Sequence, residues 1–159
     1  MNEQLTFILP GDLDRAKFKA IYDDLYPVYD EILQSLHQQV RQVLEANGNF
    51  FTIKSRVKRF DTYFDKLIKM SRHDHGSDAA VITDILGLRI VCPFLEDLKG
   101  VENLIKTRFK VVELERKGSR HAMGEFGYDS IHFLIRIDPI YRRRELPYTS
   151  SVCEVQLRT

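Results

Sequence analysis

Ser130-Ile131-His132-Phe133-Leu134-Ile135-Arg136-Ile137 alternates in character along nearly its whole length. Ile131, Phe133, Ile135 and Ile137 are apolar, and the residues between them, Leu134 apart, are polar. Cys153-Glu154-Val155-Gln156-Leu157-Arg158 repeats the pattern. A period of two residues belongs to a β-strand with one buried face. The two stretches therefore predict neighbouring strands that turn their apolar faces to helices. The opposite faces carry His132, Glu154, Gln156 and Arg158. Such a face is either sheet open to water or the floor of a cleft, and periodicity does not separate the two.

Working outward, helical spacing dominates the first third of the chain. Residues from Asp12 to Asn47 predict helix, with Pro27 as a break or a first-turn position and Asn47-Gly48 as the stop. Phe50 to Ile53 predicts a short strand. Phe60, Phe64, Leu67 and Ile68 mark the buried stripe of a further helix, with Arg59, Tyr63 and Lys66 on the adjoining face. Ile85 to Phe94 predicts a mostly buried strand. A helix with Leu98, Val101, Leu104 and Ile105 inside follows, then a strand from Phe109 to Leu114 and a loop from Gly118 to Gly127. The fold class is α+β, a mixed sheet packed with helices. No repeat or Pro/Gly-rich hinge divides the chain, so one domain is expected over 1–159, a helical segment 1–48 followed by a core 50–159.

The 159 residues contain 24 Lys+Arg and 23 Asp+Glu, a net charge of +1, with 43% hydrophobic and 30% charged residues. That balance excludes a disordered tail or a polycation, and no apolar run is long enough to span a bilayer. Met1-Asn2-Glu3-Gln4 is acidic and polar where a secretory signal is basic and then apolar. A cytoplasmic protein with Cys92 and Cys153 as reduced, buried thiols is the expectation.

Local charge says more than net charge. Lys54, Arg56, Lys58, Arg59, Lys66 and Lys69 crowd one stretch. With Lys54 to Lys58 at a helix start and Lys66 two turns in, they form either a solvated basic surface or a phosphate site. Asp84 opens an apolar strand as a turn residue or a metal ligand, and Glu154 is a second acid on the same sheet. Two carboxylates beside clustered cations suit Mg²⁺ bound together with a polyphosphate. His73-Asp74-His75 and Arg142-Arg143-Arg144 are expected to be surface loops. There is no Walker A loop and no dinucleotide-binding glycine fingerprint.

Five pieces occur in order: Ser-Arg-Val-Lys at 55–58, Lys66, Asp-Ile-Leu-Gly-Leu-Arg at 84–89, Gly-Tyr-Asp-Ser-Ile-His at 127–132, and Glu-Val-Gln-Leu-Arg-Thr at 154–159. This ordered set resembles the RelA/SpoT synthetase family, the pyrophosphokinases that make guanosine alarmones. The resemblance implies a nucleotidyltransferase-like synthetase fold. It implies transfer of pyrophosphate from ATP to the ribose 3′-hydroxyl of GDP or GTP, giving ppGpp or pppGpp and AMP with Mg²⁺ as cofactor. Arg56 and Arg89 match arginines that sandwich adenine. Lys58 and Lys66 match lysines on the ATP phosphates, with Thr62 as a hydroxyl that assists them. Asp84 matches the principal Mg²⁺ ligand, and Glu154 the acid that reaches both metal and acceptor and takes the 3′-hydroxyl proton. Tyr128 matches an aromatic that stacks on guanine, and His132, Gln156 and Arg158 match polar groups of the acceptor side.

The chain departs from the family where members carry Lys-Pro-Asn, since Gly124-Glu125-Phe126 stands there. The loop that tunes GDP against GTP reads Glu115-Arg116-Lys117-Gly118. Transfer to an adenosine nucleotide or a tRNA 3′ end, or an inactive nucleotide-binding module, are the alternatives. Relatives continue past the last motif into helices that build oligomers, so a chain cut short at Thr159 is the expectation.

Overall fold

The computed structural model describes residues 13–72, 81–118, 130–137 and 145–159. Three helices and five strands occur in the order α1 (Arg15–Ala46), β1 (Thr52–Val57), α2 (Phe60–Arg72), β2 (Leu86–Val91), α3 (Leu95–Arg108), β3 (Val111–Lys117), β4 (Ser130–Arg136) and β5 (Val152–Arg158). The strands form one sheet in the order β1-β2-β5-β4-β3. Only β2 and β5 run parallel, and the other neighbours are antiparallel, so the sheet is mixed as expected.

Helix α1 begins where the Asp14 carboxylate accepts from the backbone N–H groups of Ala16 and Lys17, which have no partner inside the helix. Tyr22, Leu25, Tyr29, Ile32, Leu33, Leu36, Val40 and Leu44 form its buried stripe. The helix stops at Asn47-Gly48, where the Asn47 amide caps the Val43 carbonyl at 2.8 Å and Gly48 takes a φ of +71°. Pro27 neither breaks nor starts this helix but lies inside it, on the exposed side. One missing N–H and one ring clash are outweighed by the stripe that buries Leu25 and Tyr29 on either side.

Two other expectations shift. Strand β1 covers Thr52–Val57 instead of ending at Ile53, so Lys54 and Arg56 stand on a strand and not at a helix start. Its inward residues are Ile53, Ser55 and Val57, and the polar Ser55 is accommodated by a 3.0 Å hydrogen bond with His37 of α1. Strand β3 reaches Lys117, so Glu115, Arg116 and Lys117 belong to an edge strand and not to a loop. Tyr63, on the face adjoining the apolar stripe of α2, is wholly buried. Its hydroxyl donates to the Pro147 carbonyl at 2.9 Å, which gives the buried polar atom a partner.

The core lies on one side of the sheet. Helix α1 packs on β1 and β2 and touches α2 and α3, and α3 reaches β5. Ile53, Leu88, Ile90, Phe133, Ile135, Val155 and Leu157 fill this face. Among the described residues no helix is long and apolar enough to cross a membrane.

Candidate active site

The other face of the sheet collects the polar residues, and strand register arranges them in rows. Paired residues on adjacent strands point the same way. One row runs Lys54, Arg89, Gln156, His132, Glu115 from β1 across to β3. The next runs Arg56, Gly87, Glu154, Leu134. Arg158 lies one row further, opposite Val91. Four segments distant in sequence thus contribute Arg56, Arg89, Glu154, Gln156, Arg158 and His132 to one continuous surface. The polar faces expected for β4 and β5 are therefore present and adjoin the cationic face of β1 and β2.

Contacts fix several of these side chains. The Arg89 guanidinium donates through Nε and Nη2 to the Gln156 amide oxygen at 3.1 and 3.0 Å, which sets the orientation of its plane. A guanidinium steered by a neutral amide keeps its full charge and an open face for stacking. His132 Nδ1 and Glu154 Oε1 are 2.9 Å apart, and Nε2 is 2.9 Å from Ser130 Oγ. An ionised carboxylate only accepts, so Nδ1 carries the proton in the first bond. Ser130 and His132 thereby brace one oxygen of Glu154, and the carboxylate keeps its second oxygen for other work.

A second centre lies before β2. Asp84 accepts from Lys58 Nζ through one oxygen at 2.9 Å and from Lys66 Nζ through the other at 3.1 Å. The three side chains are 10%, 27% and 43% exposed for Lys58, Asp84 and Lys66. Burial opposes the Asp84 charge, but the hydrogen bonds and charges of the two lysines outweigh it and hold the carboxyl below its ordinary range. Thr62 is exposed on α2 one turn before Lys66. Lys58 is positioned by its own backbone, whose N–H donates to the Ile85 carbonyl at 2.7 Å and whose carbonyl accepts from Tyr22 at 2.6 Å.

Tyr128 lies outside the described residues, as do His73-Asp74-His75, Gly124-Glu125-Phe126 and Arg142-Arg143-Arg144. Of the segment Glu115 to Lys117, Glu115 is on the polar face beside His132. Arg116 is turned to the other face, where it forms a two-pronged pair with Glu102 of α3 at 3.1 and 2.5 Å. Glu102 is only 6% exposed, and Arg116 together with Lys106 keeps its carboxyl below the ordinary value despite burial.

One supporting residue was not singled out from the sequence, and one residue of the basic cluster was placed on a different element. Ser130 supports His132, and its place in the alternation of β4 was the available signal. Lys54 shares a row with Arg89, which alternation along β1 would have revealed had that strand been extended to Val57. Cys92 and Cys153 are free and buried, as expected.

Among the described residues no three His, Cys, Asp or Glu side chains come together as a metal cage. Asp84, two residues before β2, and Glu154, inside the adjacent β5, are hard oxygen donors. They fit Mg²⁺, which takes one or two carboxylates and completes its shell from phosphate and water. They do not fit a soft or fully protein-held transition metal.

Comparison with known proteins places this geometry in context. GTP pyrophosphokinase YwaC of Bacillus subtilis is 30% identical over 134 residues, which cover 79% of this chain and 59% of that protein. GTP pyrophosphokinase rsh of Brucella melitensis is 26% identical over 149 residues, 92% of this chain and 19% of that protein. The chain thus spans less than two-thirds of the length of these curated relatives. The crystal structure of small alarmone synthetase 2 from Bacillus subtilis matches with a TM-score of 0.61 at 27% identity, covering 87% of this chain and 72% of that one. Small alarmone synthetase 1 from the same organism has a TM-score of 0.63 at 20% identity, covering 86% and 70%, a likeness of fold. The family model for the region found in RelA / SpoT proteins matches residues 55–159, which takes in the second half of β1, the Asp84 centre and the whole polar face of β5, and the chain belongs to that RelA/SpoT family.

Proposed function

We propose that this chain is an alarmone synthetase domain that transfers the β,γ-pyrophosphate of ATP to the ribose 3′-hydroxyl of GDP or GTP. The 3′-oxygen attacks the β-phosphorus, the bond from that phosphorus to the α,β-bridging oxygen breaks, and AMP leaves with the bridging oxygen. Glu154 takes the 3′-hydroxyl proton. Arg56 and Arg89 hold the adenine, Lys58 and Lys66 neutralise the triphosphate with help from Thr62, and Tyr128, His132, Gln156 and Arg158 receive the acceptor.

The observation that carries this reading is the register across β1, β2, β5 and β4. It brings Arg56 and Arg89 onto one surface with Glu154, Gln156 and His132, which supports giving the arginines to the donor and the others to the acceptor. Transfer of this kind is mostly positioning and charge neutralisation, so a site needs cations, one base and fixed geometry. The bond from His132 to one oxygen of Glu154 supports the choice of that acid as base, because it fixes the carboxylate in direction and leaves an acceptor oxygen. Asp84 and Glu154 would hold Mg²⁺, which when bound supplies charge neutralisation on the β- and γ-phosphates. Lys58 and Lys66 exchange their contact with Asp84 for phosphate oxygens as the triphosphate enters.

The test is an acceptor panel with γ-labelled ATP and Mg²⁺, offering GDP, GTP, AMP, ADP and tRNA separately. Label on GDP or GTP is expected. Label only on an adenosine nucleotide or tRNA would keep the chemistry and overturn the acceptor, and no transfer at all would overturn the enzyme assignment for this chain.

A further inference from the structure

Gly87 is the one position in its row without a side chain, and among the described residues neither the backbone nor the packing asks for that. It sits inside β2, a strand flanked on both sides, between Arg56 on β1 and Glu154 on β5. Its backbone is not in the left-handed region, unlike that of Gly48 and Gly118. Among the described residues a Cβ built on it would meet only the Arg56 carbonyl oxygen, at 3.7 Å, an ordinary contact. Glycine inside a strand weakens the strand, and where neither φ nor packing asks for it the remaining cause is close approach of something to the backbone.

The geometry supplies the space for such an approach. Strands lie about 4.8 Å apart, so the Cα atoms of Arg56 and Glu154 stand about 10 Å from each other across Gly87. Register puts Arg56 and Glu154 on either side of Gly87 on the same face of the sheet, with bare peptide between them. One side is cationic and the other acidic, a polarity that suits a ligand running from a stacked base towards a reacting phosphate.

We propose that Gly87 is the seat of the donor nucleotide, where the sugar–phosphate part of a nucleoside triphosphate lies in contact with the β2 backbone between Arg56 and Glu154. This inference rests on the proposed function and adds a substrate-contact position to it. A methyl group there raises the surface by about 1.5 Å, the length of one carbon–carbon bond. A displacement of that size misplaces the ligand against both side chains, and a misplacement of about 1 Å can cost roughly a hundredfold in a positioned site.

The experiment is calorimetric titration of wild type, Gly87→Ala and Gly87→Val with α,β-methylene-ATP and Mg²⁺, with GDP titrations and melting curves beside it. Gly87→Ala is expected to weaken the triphosphate by about tenfold and Gly87→Val by about a hundredfold. GDP affinity should stay within about twofold and Tm of Gly87→Ala should be unchanged or raised, because among the described residues a Cβ at Gly87 makes only an ordinary van der Waals contact. Triphosphate affinity in Gly87→Val equal to wild type would overturn the inference alone. Parallel loss of Tm and of GDP binding would overturn it too, because the glycine would then be structural. Wild-type protein that bound no triphosphate would overturn the proposed function and this inference with it.

Discussion

Replacing Asp84 with Asn keeps the side-chain volume and one acceptor oxygen but removes the charge that faces Lys58 and Lys66. The two lysines should not suffer equally. The Lys58 side chain is 10% exposed and loses an ionised partner at 2.9 Å, whereas that of Lys66 is 43% exposed and turns to water. A net hydrogen bond to a charged group contributes about 1.5–3 kcal/mol, and an exposed ion pair below about 1 kcal/mol. Asp84→Asn should therefore cost about 2 kcal/mol at pH 7, because water reaches the partly exposed carboxylate and softens the upper limit. For a chain of this size that lowers Tm by roughly 4–8 °C. Urea unfolding of a double-mutant cycle should show coupling of about 1–2 kcal/mol between Asp84→Asn and Lys58→Met, and less than about 1 kcal/mol with Lys66→Met.

The pH dependence has a definite sign. The Asp84 carboxyl is held below its ordinary value in the folded protein, so the unfolded chain takes up the proton first. The stabilisation is complete above the unfolded value of about 4 and is lost as pH falls through the lower, folded value. Wild type and Asp84→Asn should converge in stability as pH is lowered from 7 towards 3. A gap that stayed constant with pH, or a Lys66 coupling larger than that of Lys58, would refute the reasoning.

Pro27→Ala should restore a backbone hydrogen bond to the Asp23 carbonyl on the exposed side of α1 and stabilise by about 1–3 kcal/mol, read as a higher urea midpoint. Tyr63→Phe leaves the Pro147 carbonyl without its donor and should cost about 1 kcal/mol by the same assay. Burial, with Asp97 beside it, pushes the Cys92 thiol up to about 11, and burial with Glu154 nearby pushes Cys153 up to about 12. Ellman's reagent at about pH 8 should label neither thiol in the folded protein and both after unfolding.

Strands β4 and β5 were legible because a strict period of two, with every inward residue apolar, leaves one solution. Strand β1 was cut short because Ser55 is polar yet faces inward, and the partner that makes this tolerable, His37, is on another element. Strand β3 looked like loop from Glu115 onward because an edge strand carries charge on both faces, and the buried Glu102 on another element gives Arg116 a partner on the helix side. Tyr63 is the same case, a polar tip satisfied 84 positions along the chain. In the site, the face shared by Glu154, Gln156 and His132 followed from parity. The meeting of Asp84 with Lys58 and Lys66 spans 26 and 18 positions and does not follow from periodicity; the acid beside clustered cations suggested it, and the family resemblance supplied the roles.

The most direct test measures pyrophosphate transfer from γ-labelled ATP to GDP and GTP in wild type and Glu154→Gln, with α,β-methylene-ATP affinity determined for both. The amide keeps the size of the side chain and removes the base. Transfer by wild type, a fall of at least about a hundredfold in the variant and triphosphate affinity preserved within a few fold are expected. Transfer by Glu154→Gln at the wild-type rate would contradict the central claim that the polar face of β5 carries the reaction.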